Sequence, residues 1–320
     1  MLPASPSNLF AMHPFYVNSV YQERVASGMS APYADSVTRT NLEQIMDSGS
    51  ALWIDKISKI HGEGLTLESV CADAASKGEP PLVVVVLCER LLCPQPCVET
   101  TPGSDTKSLI ANDLNVRCWT SDNIPNRDCH AMASNGELCC QYASDGSCMY
   151  TAADESCRDG LRRYKQEYVN EFASILERYA TVPTAIIIEP DSIANLATNM
   201  GDPNCGNSAT QSAYVEGIRY AIDTLHRRSP RSALYLDAGH GGWLGWPDKV
   251  DAYLQSVAQL GQVAGHLRGY VPCITSFLNA LTVGRHPICL QLVPTTHVEQ
   301  VCNQRCQLSS TRVAVPFLCL

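Results

Sequence analysis

AIIIEPDSIANL, residues 185–196, decides the fold. Residues 184–188 (TAIII) form a continuous apolar run, as in a strand buried on both faces of a parallel sheet. Pro190 ends the strand, so Glu189 and Asp191 arrive at its carboxyl end. Three further segments read the same way: residues 51–55 (ALWID) end at Asp55, residues 82–87 are LVVVVL, and residues 233–236 (ALYL) run into Asp237. Residues 267–270 are a weaker fifth candidate. Between them, Leu161, Tyr164, Tyr168, Phe172, Ile175 and Tyr179 recur every three or four residues, one face of an amphipathic helix. Residues 209–226 and 247–263 read alike. Strand alternating with helix gives parallel βαβ units, hence a doubly wound sheet or a barrel.

The strand ends carry the chemistry. In parallel α/β folds the site lies at the carboxyl ends of the strands. Asp55, Glu189, Asp191 and Asp237 should therefore converge on one rim. Each alone could cap the helix that follows, a common use of Asp. Four at equivalent positions favour a shared site. Asp191, partly desolvated near other carboxylates, should have a raised pKa and hold a proton, the requirement for a general acid.

Composition narrows the function. The chain has 320 residues, 45% hydrophobic and 17% charged, an ordinary globular balance. Acids outnumber bases 32 to 23, a net charge of −9. That argues against nucleic acid or an anionic membrane as partner, since both need clustered Lys and Arg. No apolar run approaches the ~18 residues of a membrane span. The sixteen cysteines suggest an oxidising compartment. Nine of them fall in residues 88–121 and 271–320, which show the least structural logic. Cys93 with Cys97 and Cys302 with Cys306 are C-x3-C pairs without a regular second pair, a poor zinc pattern. The first residues lack the basic and apolar regions of a signal peptide.

Two more motifs stand out. NIPNRDCHAMASNGE, residues 123–137, places Asp128 between Arg127 and Cys129 in a segment rich in turn formers. LYLDAGHGGWLGW, residues 234–246, runs a strand into a Gly-rich turn bearing Asp237, His240, Trp243 and Trp246. Tryptophan faces can stack on sugar rings while Asp and His bind hydroxyls. Both tryptophans could instead be core, but two of them three apart in a Gly-rich loop after a strand favour ligand contact.

Together these segments resemble glycoside hydrolase family 6, the cellobiohydrolases and endoglucanases that act on β-1,4-glucan. RDC-x4-SNGE, EPDS-x-AN and LDAGH-x-GWLGW occur in the family's order, with HPFYVNS at 13–19 and ALWIDK at 51–56 like its first strand region. The likeness covers residues 13–87 and 122–270 of a single catalytic domain spanning 1–320. It implies a distorted seven-stranded parallel β/α barrel, incomplete here, and inverting hydrolysis of β-1,4-glucosidic bonds in cellulose. In that resemblance Asp191 matches the general acid, and Asp128 matches the aspartate that keeps it protonated. Ser134 matches a serine that positions the attacking water, and Asp237 a further acid near the site. Trp53, Asp55, His240, Trp243 and Trp246 match substrate-cleft positions, and Cys129 and Cys205 match a disulfide pair. The resemblance implies no metal or organic cofactor, a cellulose or cello-oligosaccharide partner, a monomer, and an extracellular location.

The chain departs from the family in three places. Asp122 stands where the family has a tyrosine. Residues 88–121 are an atypical insert between strand and motif, long for a loop without structure of its own. Residues 271–320 are an atypical tail without the family's later cleft residues, including a late aspartate proposed as catalytic base. Insert and tail both read as translated non-coding sequence. The alternative function is therefore a truncated, non-catalytic relative that at most binds cello-oligosaccharides.

Overall fold

The computed structural model describes residues 9–32, 34–87, 138, 141–145, 148–149, 157–201, 207–239, 241–271 and 318–319. Its strands are β1 (Ser50–Ile54), β2 (Val83–Leu87), β3 (Gln141–Tyr142), β4 (Cys148–Met149), β5 (Thr184–Ile188), β6 (Ser232–Asp237), β7 (Gly269–Val271) and β8 (Leu318–Cys319). Six of them form one parallel sheet in the order β7-β6-β5-β2-β1-β8. β3 and β4 form a separate antiparallel pair. From β1 to β7 each strand of the large sheet lies beside the one before it, the winding of a barrel and not of a doubly wound sheet. β8 then pairs with the other edge of β1.

The sheet holds the five strands read from the sequence plus the two-residue β8. The seven strands that the resemblance implies are not reached among the described residues. All five residues of β2 and of β5 are buried, as their unbroken apolar runs require.

Alternation along the strands divides the core in two. Ile54, Val83, Val85, Leu87, Ile186, Ile188, Leu234 and Leu236 face the helices and join the larger cluster. Ala51, Trp53, Val84, Val86, Ala185, Ile187, Ala233 and Tyr235 face the other side. There Leu9, Phe10 and Phe15 cover them, and Phe10 meets the Tyr235 ring at 5.9 Å between centroids. Each Val, Leu or Ile side chain so buried contributes roughly 1.5–3 kcal/mol.

The helix expected from the run Leu161 to Tyr179 has a wider turn inside it. An α-helix over Arg158–Arg163 passes into a π-helical stretch, Tyr164–Val169, and returns to α over Asn170–Arg178. Tyr164, Tyr168 and Phe172 are spaced strictly by four. On a pure α-helix that spacing drifts about 40° per step around the axis. The π turn offsets the drift and keeps all three rings on the sheet side. All three are fully buried, in successive ring contact at 5.8 and 6.4 Å between centroids.

The long helix Ser208–Arg228 crosses this segment at Gly217. A Cβ there would stand 3.2 Å from Tyr164 Cε1, a ring edge locked in the core. Gly217→Ala should destabilise the protein by about 1–3 kcal/mol despite alanine's better helix propensity. Urea unfolding checks this, and an unchanged or raised midpoint would show that the contact is slack.

Residues 247–263, read as one helix, divide into Pro247–Ala258 and a 3-10 turn, Gly261–His266, whose first residue, Gly261, has φ 63°. Among the described residues no helix is long and apolar enough to cross a membrane.

Candidate active site

The acids lie at the carboxyl ends of the strands. Asp55 follows β1, Glu189 and Asp191 follow β5, and Asp237 is the last residue of β6. Asp237 continues the alternation of Ala233 and Tyr235, so it lies on the face away from the helices. Asp55 stands in the same relation to Ala51 and Trp53.

The turn after β5 is unusual. Glu189 and Asp191 both have positive φ, 40° and 67°, although neither is glycine. Such backbone costs of order 1–3 kcal/mol and persists only where surrounding bonds hold it. Here they do. The Glu189 N–H donates to Leu87 O at 2.8 Å, and the Ser192 N–H and Oγ both donate to Glu189 O, at 3.1 and 2.5 Å. The Asn195 N–H donates to Asp191 O at 2.7 Å. Asp191 occupies the N-cap position of helix Ser192–Asn199, but its side chain makes no cap hydrogen bond. Helix capping therefore does not account for this acid.

Asp237 joins the two strand ends. Its Oδ2 accepts the Asp191 N–H at 3.0 Å and the Gly239 N–H at 2.9 Å. The residue is only 1% exposed. Gly239, at φ 57°, provides the tight turn that brings its own N–H back to the carboxylate. The Asp237 carboxylate thus sits against the backbone of Asp191.

The remaining expected residues divide. Asp55 is buried and forms an ion pair with Lys59. Trp53 is buried on the face away from the helices, beside a cavity of about 40 Å³ that Tyr16, Asn18, Ser50 and Lys59 also line. Neither Asp191 nor Asp237 borders that cavity. Trp243 is half-buried, and its Nε1 donates to Thr198 Oγ1 at 3.1 Å. Trp246 is 61% exposed, in the extended conformation that the following Pro247 favours. The two tryptophans therefore differ: one is tied to a helix and the other stands in solvent. Asp128, Ser134, His240, Cys129 and Cys205 lie outside the described residues, as do Asp122, the segment 88–121 and residues 272–317.

Three features were not legible in the sequence. Glu189 is fully buried, and its Oε1 accepts the Tyr164 hydroxyl at 3.0 Å. Cys157 is disulfide-bonded. Cys71 is free and buried in the helix-side core, where desolvation pushes its thiol up to about 12. Among the described residues no group of three or more His, Cys, Asp or Glu could hold a metal ion.

The sequence profile of the family described as glycosyl hydrolases family 6 matches residues 106–287, more than half of the chain. The match begins within the segment 88–121 and ends within 271–320. Exoglucanase 2 of Hypocrea jecorina is 41% identical over 156 residues, 49% of this chain and 29% of that protein. Exoglucanase 3 of Agaricus bisporus is 31% identical over 273 residues, 84% of this chain and 47% of that protein. Among solved structures, cellobiohydrolase II (Cel6A) from Humicola insolens in complex with glucose and cellotetraose matches with a TM-score of 0.59 at 26% identity. That match covers 83% of this chain and 60% of the other. The chain spans about half the length, or less, of the curated relatives it matches.

Proposed function

Because the chain belongs to glycosyl hydrolase family 6, we propose that it hydrolyses β-1,4-glucosidic bonds in cellulose and cello-oligosaccharides, with inversion at the anomeric carbon. The observation that carries this reading is the pairing of Asp191 and Asp237. Asp191 sits at the rim on positive-φ backbone, its side chain makes no cap hydrogen bond to the following helix, and Asp237 grips its main chain.

In this reading Asp191 is the general acid. Breaking the glycosidic bond leaves an alkoxide that must take a proton as the bond breaks. A carboxyl group fixed beside the leaving oxygen supplies it. Asp128 is the second carboxylate, and its charge disfavours ionisation of Asp191 and offsets positive charge at the anomeric carbon. Ser134 orients the water that attacks the opposite face of the ring; the proton this water sheds passes to solvent, from which Asp191 is reprotonated after each turnover. Inversion requires room for that water, so in inverting glycosidases the general acid and the group that takes the water's proton stand ~6.5–9.5 Å apart. Trp246, with its open ring, offers the sugar-stacking face, and His240 and Asp55 bind hydroxyls. Trp53 and Trp243 shape the cleft from behind.

The substrate class comes from the relatives' names: exoglucanases, and a cellobiohydrolase solved with cellotetraose. The reading takes the chain to be a monomer working outside the cell. The bonded Cys157 and a cysteine share of 16 in 320 agree with an oxidising compartment. A Cys129–Cys205 bridge belongs to this reading.

Product stereochemistry is the direct test. Proton NMR of cellotetraose hydrolysis should show the α-anomer of the new reducing end first, before mutarotation. The β-anomer appearing first would exclude inversion. Binding of cellotetraose without turnover at millimolar substrate would favour the non-catalytic alternative.

A further inference from the structure

Three tyrosines from the outer helices reach the strand ends that carry the acids. The Tyr168 hydroxyl donates to Ile54 O, the last residue of β1, next to Asp55. The Tyr164 hydroxyl donates to the Glu189 carboxylate at 3.0 Å, just past β5 and two residues before Asp191. The Tyr253 hydroxyl donates to Asp237 O at 2.7 Å, at the end of β6. All three side chains are fully buried. Tyr164 and Tyr168 come from the π-helical stretch and Tyr253 from the helix Pro247–Ala258.

We propose that Tyr164, Tyr168 and Tyr253 are positioning residues, which fix the acid-bearing ends of β5, β1 and β6 to the surrounding helices so that Asp191 and Asp237 keep their geometry. The inference rests on the reading of Asp191 as the general acid. Its physical basis is leverage. Just past a strand end the ladder hydrogen bonds thin out, and single bonds such as Glu189 N–H to Leu87 O and Ala238 N–H to Val271 O hold the main chain there. Glu189 and Asp191 have particular cause to relax, since both hold positive φ. A hydrogen bond inside the dry core, from a ring that packing has already immobilised, opposes that relaxation at little entropic cost. The π turn then has a reason to exist: it puts Tyr164 and Tyr168 in line with two strand ends at once.

The test uses the full chain with Tyr164→Phe, Tyr168→Phe and Tyr253→Phe, each removing one hydroxyl and no ring. Phe172→Leu is the control, since Phe172 is equally buried on the same helical run but donates to no strand end. Amide hydrogen exchange at Asp191, Ser192 and Gly239 is read together with kcat, KM and the pH profile on cellotetraose. Each tyrosine variant should lower kcat by ~10- to 100-fold with KM nearly unchanged, as small misplacements of catalytic groups do. The basic limb of the pH profile should move in Tyr164→Phe. Exchange at Asp191 and Ser192 should rise ~10-fold in that variant. Phe172→Leu should lower Tm while leaving kcat, the pH profile and those amides as in the wild type.

Wild-type kcat, pH profile and exchange in all three tyrosine variants, with activity lost in Asp191→Asn, would overturn this proposal alone. Full turnover by Asp191→Asn would overturn the reading of Asp191 and the proposal with it. The exchange measurement needs no turnover, so it decides the anchoring even where activity is low.

Discussion

Asp191→Asn should lower turnover of cellotetraose by roughly 10²–10⁴-fold, the contribution of a well-placed general acid. Asparagine matches aspartate in shape and is among the residues that best tolerate positive φ, so the strained backbone at φ 67° is preserved. The bonds that hold this turn run through the main chain of Asp191, and the substitution leaves them in place. The loss should therefore be chemical and not structural. Dependence on the leaving group separates the two. An aryl cellotrioside with an acidic phenol needs little proton donation and should lose least, whereas cellotetraose should lose most. The basic limb of the pH–kcat profile should disappear as well, because no titrating acid remains. An equal fall on both substrates, with a lowered Tm, would point to damaged folding and sink the assignment.

Asp237→Ala should be the more disruptive change for the fold. Two backbone donors, the N–H groups of Asp191 and Gly239, converge on one buried oxygen. Truncation leaves both without that acceptor, and a buried unsatisfied donor costs about 1–3 kcal/mol. The expected loss is therefore about 2–5 kcal/mol, with most catalytic activity gone because the Asp191 backbone has lost its anchor. Asp237→Asn keeps one oxygen to accept the same two donors. It should cost about 1 kcal/mol and still impair activity through the lost charge. Urea unfolding of the three proteins gives the ordering. An Ala variant as stable as the Asn variant would mean that water replaces the carboxylate at no cost and that the oxygen is not a structural anchor.

Sequence patterns revealed the sheet and its rim because burial on both faces leaves little choice of residue. TAIII and LVVVV are continuous because each side of the strand meets another apolar layer. The acids were visible for the complementary reason: a charged residue ending such a run must sit where water or a partner reaches it. The helices Ser19–Met29 and Ser36–Met46 escaped notice because they expose most of their surface. Only Tyr21 and Val25 of the first are buried, and no residue of the second. The tyrosine anchors could not be read either. A periodicity of four predicts a buried ring, but it says nothing of where the hydroxyl ends. That depends on a turn one residue wider than α and on strands far away in the chain. The buried Glu189 looked like one more rim acid because its partner, Tyr164, comes from a helix 25 residues earlier.

The place of β8 beside β1 has a consequence for how the molecule is made. Successive strands from β1 to β7 can dock in the order in which they leave the ribosome, each finding its neighbour already formed. The outer edge of β1 waits for Leu318 and Cys319, which pair with Ser50 and Ala51. Until those residues emerge, a strand that belongs in the interior of a sheet presents unpaired backbone to whatever is near. Closing a loop of such length is slow, and the delay falls on a strand of the central sheet. Expression yield should therefore depend on holding nascent chains apart, by chaperones or by slow synthesis, more than on the stability that the finished protein attains.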